Sequence, residues 1–68
     1  MSVNWVSIYS SKYIHKVEIV KAVLLDNNID SVIVNKQDSV YLLGEIELHV
    51  HLNDLLEAKQ ILNKEKFE

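Results

Sequence analysis

Glu47, His49 and His51 stand at alternate positions and carry the side chains best suited to chemistry in this sequence. In an extended strand they project from one side, about 6.5 to 7 Å apart. Carboxylate and imidazole are ligands for zinc and other transition metals, so this strand is a candidate metal site. A straight strand, however, converges poorly on one ion, and the third histidine, His15, falls in a helical stretch. An open sheet face with alternating polar residues accounts for the same positions without a metal.

A second set of residues is basic and hydroxylic. Ser10, Ser11 and Lys12 lie where a helical pattern begins, while Asn35, Lys36, Gln37, Asp38 and Tyr41 lie at the end of an extended segment and in the loop after it. If the two extended segments run side by side, all eight gather at one end of the molecule. A helix N-terminus there would present unpaired N–H groups and the positive end of its dipole, beside two lysines. The set is a candidate site for a small anionic metabolite; capping serines and solvated lysines are the alternative.

Other chemistries lack their parts. The chain has no cysteine and a single glycine, Gly44, so a thiol nucleophile and a glycine-rich phosphate loop are both absent. No serine sits in a nucleophile-elbow context, and no pocket is foreseen that would tune Glu45 and Glu47 as an acid–base pair. The reading is of a non-enzymatic protein that needs no cofactor.

Placing these residues requires a series of short elements. Residues 3–9 alternate as a strand, with Val6 and Ile8 to one side and Trp5, Ser7 and Tyr9 to the other. A helix begins near Lys12 and buries Tyr13, Val17, Val20 and Leu24, which recur at helical spacing. Asp26-Asn27-Asn28 ends it, asparagine tolerating the left-handed backbone of a helix C-terminus. Asp30 to Lys36 reads as a strand with Val32 and Val34 inward and Ile33 outward. The stretch from Gln37 to Leu43 ends apolar (Val40, Tyr41, Leu42, Leu43), as a loop does when it folds back or meets a partner.

Glu45 to His51 alternates most cleanly, with Ile46, Leu48 and Val50 on the face opposite the histidines. Asn53 is an N-cap type, and Leu55, Ala58, Ile61 and Leu62 form the stripe of a second helix. The charged tail from Asn63 to Glu68 frays, with Phe67 free to tuck against the body. The order β-α-β-β-α makes a single α+β domain over residues 1–68, with an ordered core of about 4–63. Its architecture is a two-layer α/β sandwich: a three-stranded sheet with two helices on one face. That is a ferredoxin-like fold lacking its last strand, the third strand lying antiparallel between the first two.

Sixty-eight residues bury a limited core, although 49% of them are hydrophobic. An outward patch of Trp5, Tyr9 and Ile33, beside an unprotected edge on the first strand, therefore points to a homodimer. Net charge is −3 and all seven basic residues are lysine, which argues against a nucleic-acid partner, since arginine supplies the forked donors for bases and phosphate. No apolar run approaches the ~20 residues of a membrane span, and the first residues lack a secretion signal's basic and apolar regions. With no cysteine, the expectation is a cytoplasmic protein without membrane contact.

Four stretches carry a family resemblance: Ile19-Val20-Lys21-Ala22-Val23-Leu24, Asp26-Asn27-Asn28-Ile29, Val34-Asn35-Lys36-Gln37-Asp38-Ser39 and Gly44-Glu45-Ile46-Glu47. From Trp5 to about Leu62 the chain resembles a family of small bacterial proteins classed as prokaryotic signal-transducing proteins, a domain of unknown function. The resemblance implies a PII-like, truncated ferredoxin-like fold, with glycine usual at the position of Asn28, and it brings no catalytic residues. Three functions are open, in descending order. The first is a small regulatory or binding module that meets an anionic ligand or an unidentified protein through the loop at 35–44. A structural protein–protein interaction domain with no ligand comes second, and a metal-binding protein using the histidine strand third.

Overall fold

The computed structural model of the chain describes residues 4–37 and 44–65. The fold is built on the last of its three described strands. In β3 (Ile46–His51) every second side chain is apolar and sealed, Ile46, Leu48 and Val50 being at most 2% exposed, while Glu47, His49 and His51 point the other way. It pairs antiparallel with β1 (Trp5–Ser11) on one side and β2 (Ser31–Asn35) on the other, giving the sheet order β1-β3-β2. β1 and β2 therefore run parallel to each other, joined through a helix, as the α+β reading requires.

Helix α1 (Ile14–Asp26) buries Val17, Val20 and Leu24 at spacings of three and four, and exposes His15, Glu18, Ala22 and Asp26. α2 (Leu55–Glu65) seals Ala58 and packs Leu55, Ile61 and Leu62 against the same core. Val17, Val20, Leu24, Ile29, Ile46, Leu48, Val50 and Ala58 form that core, with no buried charged or polar residue among those described. Each fully buried branched side chain contributes about 1.5–3 kcal/mol of transfer free energy, so one layer of contact between helices and sheet carries the fold.

The end of α1 sets the facing of β2. Asn28 has φ 63°, its N–H bonds the Leu25 carbonyl, and the N–H of Ile29 bonds that of Leu24. That is a Schellman closure, with Ile29 and Leu24 supplying its hydrophobic contact. Ile29 thus enters β2 pointing inward, and the strand's alternation carries Ser31 and Ile33 inward after it.

Four expectations are corrected by these contacts. Ile33 pairs with buried Leu48 and packs on the core, whereas Val32, paired with His49, is 44% exposed on the outer face, and Val34, paired with Glu47, shares that face. Tyr9 also packs on the core, because the register with β3 shifts between Ser7 and Tyr9 and makes Ile8 the extra residue of a bulge. Past that point the strand's two faces exchange. α1 starts at Ile14, not near Lys12. Tyr13 is its extended N-cap and lies 57% exposed, with Lys16 over its ring, so it is no part of the buried stripe. Asn53 is not the cap of α2, since Leu52–Asp54 form a 3₁₀ turn that leads into it. Val40, Leu42, Leu43 and Phe67 lie outside the described residues.

Candidate functional site

Both helices pack on one sheet face, and among the described residues no element covers the other. Its centre is the polar row of β3. The Glu47 carboxylate accepts a hydrogen bond from His49 Nε2–H at 2.9 Å and an ion-pair contact from Lys36 Nζ at 3.2 Å, both on Oε1. These contacts, the His49 bond first and Lys36 second, hold the carboxyl below its ordinary value of 4.5. His51 turns away from this pair. Its ring lies 3.9 Å, centroid to centroid, from the indole of Trp5, its register partner on β1.

The neighbouring strands add apolar surface. Trp5, Val32, Val34 and His49 line an open groove of about 260 Å³. Its lining of two valines, an indole and an imidazole suits an apolar or ring-shaped group, with the Glu47–His49 pair at hand for a polar substituent. Val32 and Val34 are functional candidates that strand patterning hides, because Val32, Ile33 and Val34 are apolar on both faces.

The three foreseen sets fare differently. Among the described residues no group of three histidines, cysteines, aspartates or glutamates is placed to hold a metal ion. Glu47 and His49 do meet, but His51 is given over to Trp5. Of the outward patch, Trp5 alone is on the open face, Tyr9 and Ile33 having joined the core.

The loop end is partly assembled. Gln37 Nε2–H donates to the Lys12 carbonyl at 2.9 Å, which ties the end of β2 to the turn before α1. Its backbone N–H bonds Asn35 Oδ1 at 2.9 Å, and Ser11 Oγ accepts the N–H of Tyr13 at 3.1 Å, one step ahead of the helix. Lys36, however, extends to Glu47 on the open face, and Ser10 sits across from Glu47 in register, while Lys12 is exposed at this corner. Asp38 and Tyr41 lie outside the described residues. No described helix is long and apolar enough to cross a membrane.

Fold and open face together define a small two-layer α+β module, ferredoxin-like without the final strand. The chain belongs to the family described as "putative prokaryotic signal transducing protein", which matches it over residues 5–66. No curated protein and no solved structure matches it.

Proposed function

We propose that this is a non-enzymatic signalling module that acts by binding, and that the uncovered sheet face is its recognition surface. The groove of Trp5, Val32, Val34 and His49 is the observation that carries the reading. Apolar side chains and an aromatic ring lie together on a strand surface where polar residues would satisfy water, a pattern typical of interaction sites. The family description, signal transduction, supports a role in signalling.

Trp5 is the single tryptophan, so its emission reports the groove directly. A panel of nucleotides, phosphate, dicarboxylates, amino acids, short apolar peptides and zinc would be screened by thermal shift and by Trp5 fluorescence. A ligand at about a hundred times its Kd adds about 2.7 kcal/mol of stability. The reading expects at least one stabilising ligand that also moves Trp5 emission, with both effects lost in Val34→Glu. Stabilisation that leaves Trp5 silent removes the groove from consideration.

A second reading keeps the loop at 35–44 as a site for a small anion, and the bond from Gln37 to Lys12 favours it by drawing the two loops together. An anion hit that is silent at Trp5 and lost in Lys12→Gln identifies that corner instead.

A further inference from the structure

We propose that the occupant of the open face is a second copy of this chain, the two sheets stacked face to face about a twofold axis that crosses the strands at His49. The inference rests on the sheet-face reading above. Along the outer side of β3 the row reads Glu47, His49, His51, an acceptor at one end and a ring with a donor N–H at the other. A twofold axis across the strands at His49 inverts this row, so each Glu47 faces the other copy's His51. Among the described residues only Oε1 of Glu47 is engaged, by His49 and Lys36, which leaves Oε2 to accept from that second imidazole. An axis along the strands would instead set Glu47 over Glu47, a like-charge contact. The row is self-complementary in one orientation and repulsive in the other.

The flanking strands agree. The same axis keeps β1 over β1 and β2 over β2 while reversing their direction, the aligned packing of two stacked sheets. Val32 is level with His49 and meets its own copy on the axis; it is 44% exposed in the single chain. Trp5, level with His51, covers the other copy's Ser10, which is level with Glu47. Lys36, drawn along the face to Glu47, comes opposite the start of the other β2, where exposed Asp30 stands. A groove lined by four residues and open to solvent becomes an enclosed seam once it is capped.

The size of the face sets the strength. Three strands about 4.8 Å apart and six residues long offer a footprint of roughly 14 by 20 Å. That is below the ~800 Å² per partner of a standard interface, so the dimer is of the reversible, transient kind.

Sedimentation equilibrium between about 10 μM and 1 mM, where such complexes populate, tests the state directly. The expected result is a monomer–dimer equilibrium whose Kd rises at least about tenfold in Val32→Glu, which sets two carboxylates against each other on the axis. Circular dichroism of Val32→Glu should match the parent, because the position is already exposed. The chain has no cysteine, so Val32→Cys supplies a single thiol. A short bis-maleimide should link Val32→Cys into dimers, but not Leu56→Cys, whose site on α2 is 76% exposed on the opposite layer. A monomer throughout the range, a Val32→Glu protein that dimerises as tightly as the parent, or equal cross-linking at both cysteines overturns the proposal. If a ligand moves Trp5 emission while the protein sediments as a monomer, the second copy is excluded and the sheet-face reading survives.

Discussion

Replacing Gly44 by alanine places a methyl carbon 2.7 Å from the backbone oxygen of Lys36, closer than real Cβ atoms come to such an atom. Two costs add. Gly44 has φ +88°, and holding an L-residue with positive φ costs about 1–2 kcal/mol. The clash is with a main-chain carbonyl that cannot swing aside, so the Lys36 N–H to Glu45 carbonyl bond at 3.3 Å, the last rung between β2 and β3, must open as well. A lost hydrogen bond adds about 1 kcal/mol, for a total of about 2–3 kcal/mol. A domain of this length has about 3–10 kcal/mol in all, so the loss is large. Urea denaturation followed by circular dichroism measures it as a fall in midpoint at constant slope, and thermal melting should fall by about 10–20 °C. D-Alanine at the same position, accessible by synthesis in so short a chain, keeps the positive φ without strain and aims its methyl elsewhere. Recovery of most of the stability with D-alanine is expected. An L-alanine variant within about 0.5 kcal/mol of the parent would refute the reasoning, because neither the strain nor the contact could then be real.

Three further perturbations separate individual causes. Asn28→Gly should stabilise by up to about 1 kcal/mol, since φ 63° costs glycine nothing, and Asn28→Ala should destabilise by a similar amount; urea midpoints of both variants check the Schellman closure. Ser31→Ala should raise the urea midpoint by the equivalent of about 1 kcal/mol, because the Ser31 hydroxyl is buried without a partner among the described residues; a lower midpoint would mean that it has one. Glu47 titrates below its ordinary 4.5 in the folded chain, so its contribution is complete above pH 4.5 and is lost as pH falls through the lowered value. The parent should therefore lose stability faster than Glu47→Gln on descending below pH 4.5, and parallel curves from pH 7 to about 3 would deny the effect.

Where sequence and fold agree, the patterning left one choice. In β3 each apolar residue alternates with a polar one, so a single parity buries Ile46, Leu48 and Val50, and the strand could be placed face by face. α1 was legible for the same reason, as was its end at Asn27-Asn28. β1 and β2 were not. Val32-Ile33-Val34 is apolar on either parity, and the choice is made upstream, by the seating of Ile29 against Leu24. In β1, Trp5, Val6, Ile8 and Tyr9 give no clean alternation because the strand changes faces at the Ile8 bulge, a feature set by pairing with β3 and invisible in a local window. These two parity errors moved Tyr9 and Ile33 off the candidate surface and Val32 and Val34 onto it. The polar members of the face, Glu47, His49 and His51, were found from their spacing, but their division into one ion-paired cluster and one aromatic stack depends on Lys36 and Trp5 from neighbouring strands.

The middle strand of the sheet is also the last of the three described strands to be made. Among the described residues neither β1 nor β2 has a strand neighbour other than β3, so neither of these two ladders can be completed until His51 has left the ribosome. Until then the nascent chain holds one helix with its C-terminal closure and two unpaired strands rich in valine and isoleucine, which are attractive to chaperones and to each other's copies. Sheet formation is then a single late event across contacts distant in sequence, so the folding rate should depend on how readily residues 46–51 insert between two waiting edges. In such a chain, substitutions in β3 should slow folding, whereas those in α1 should chiefly speed unfolding.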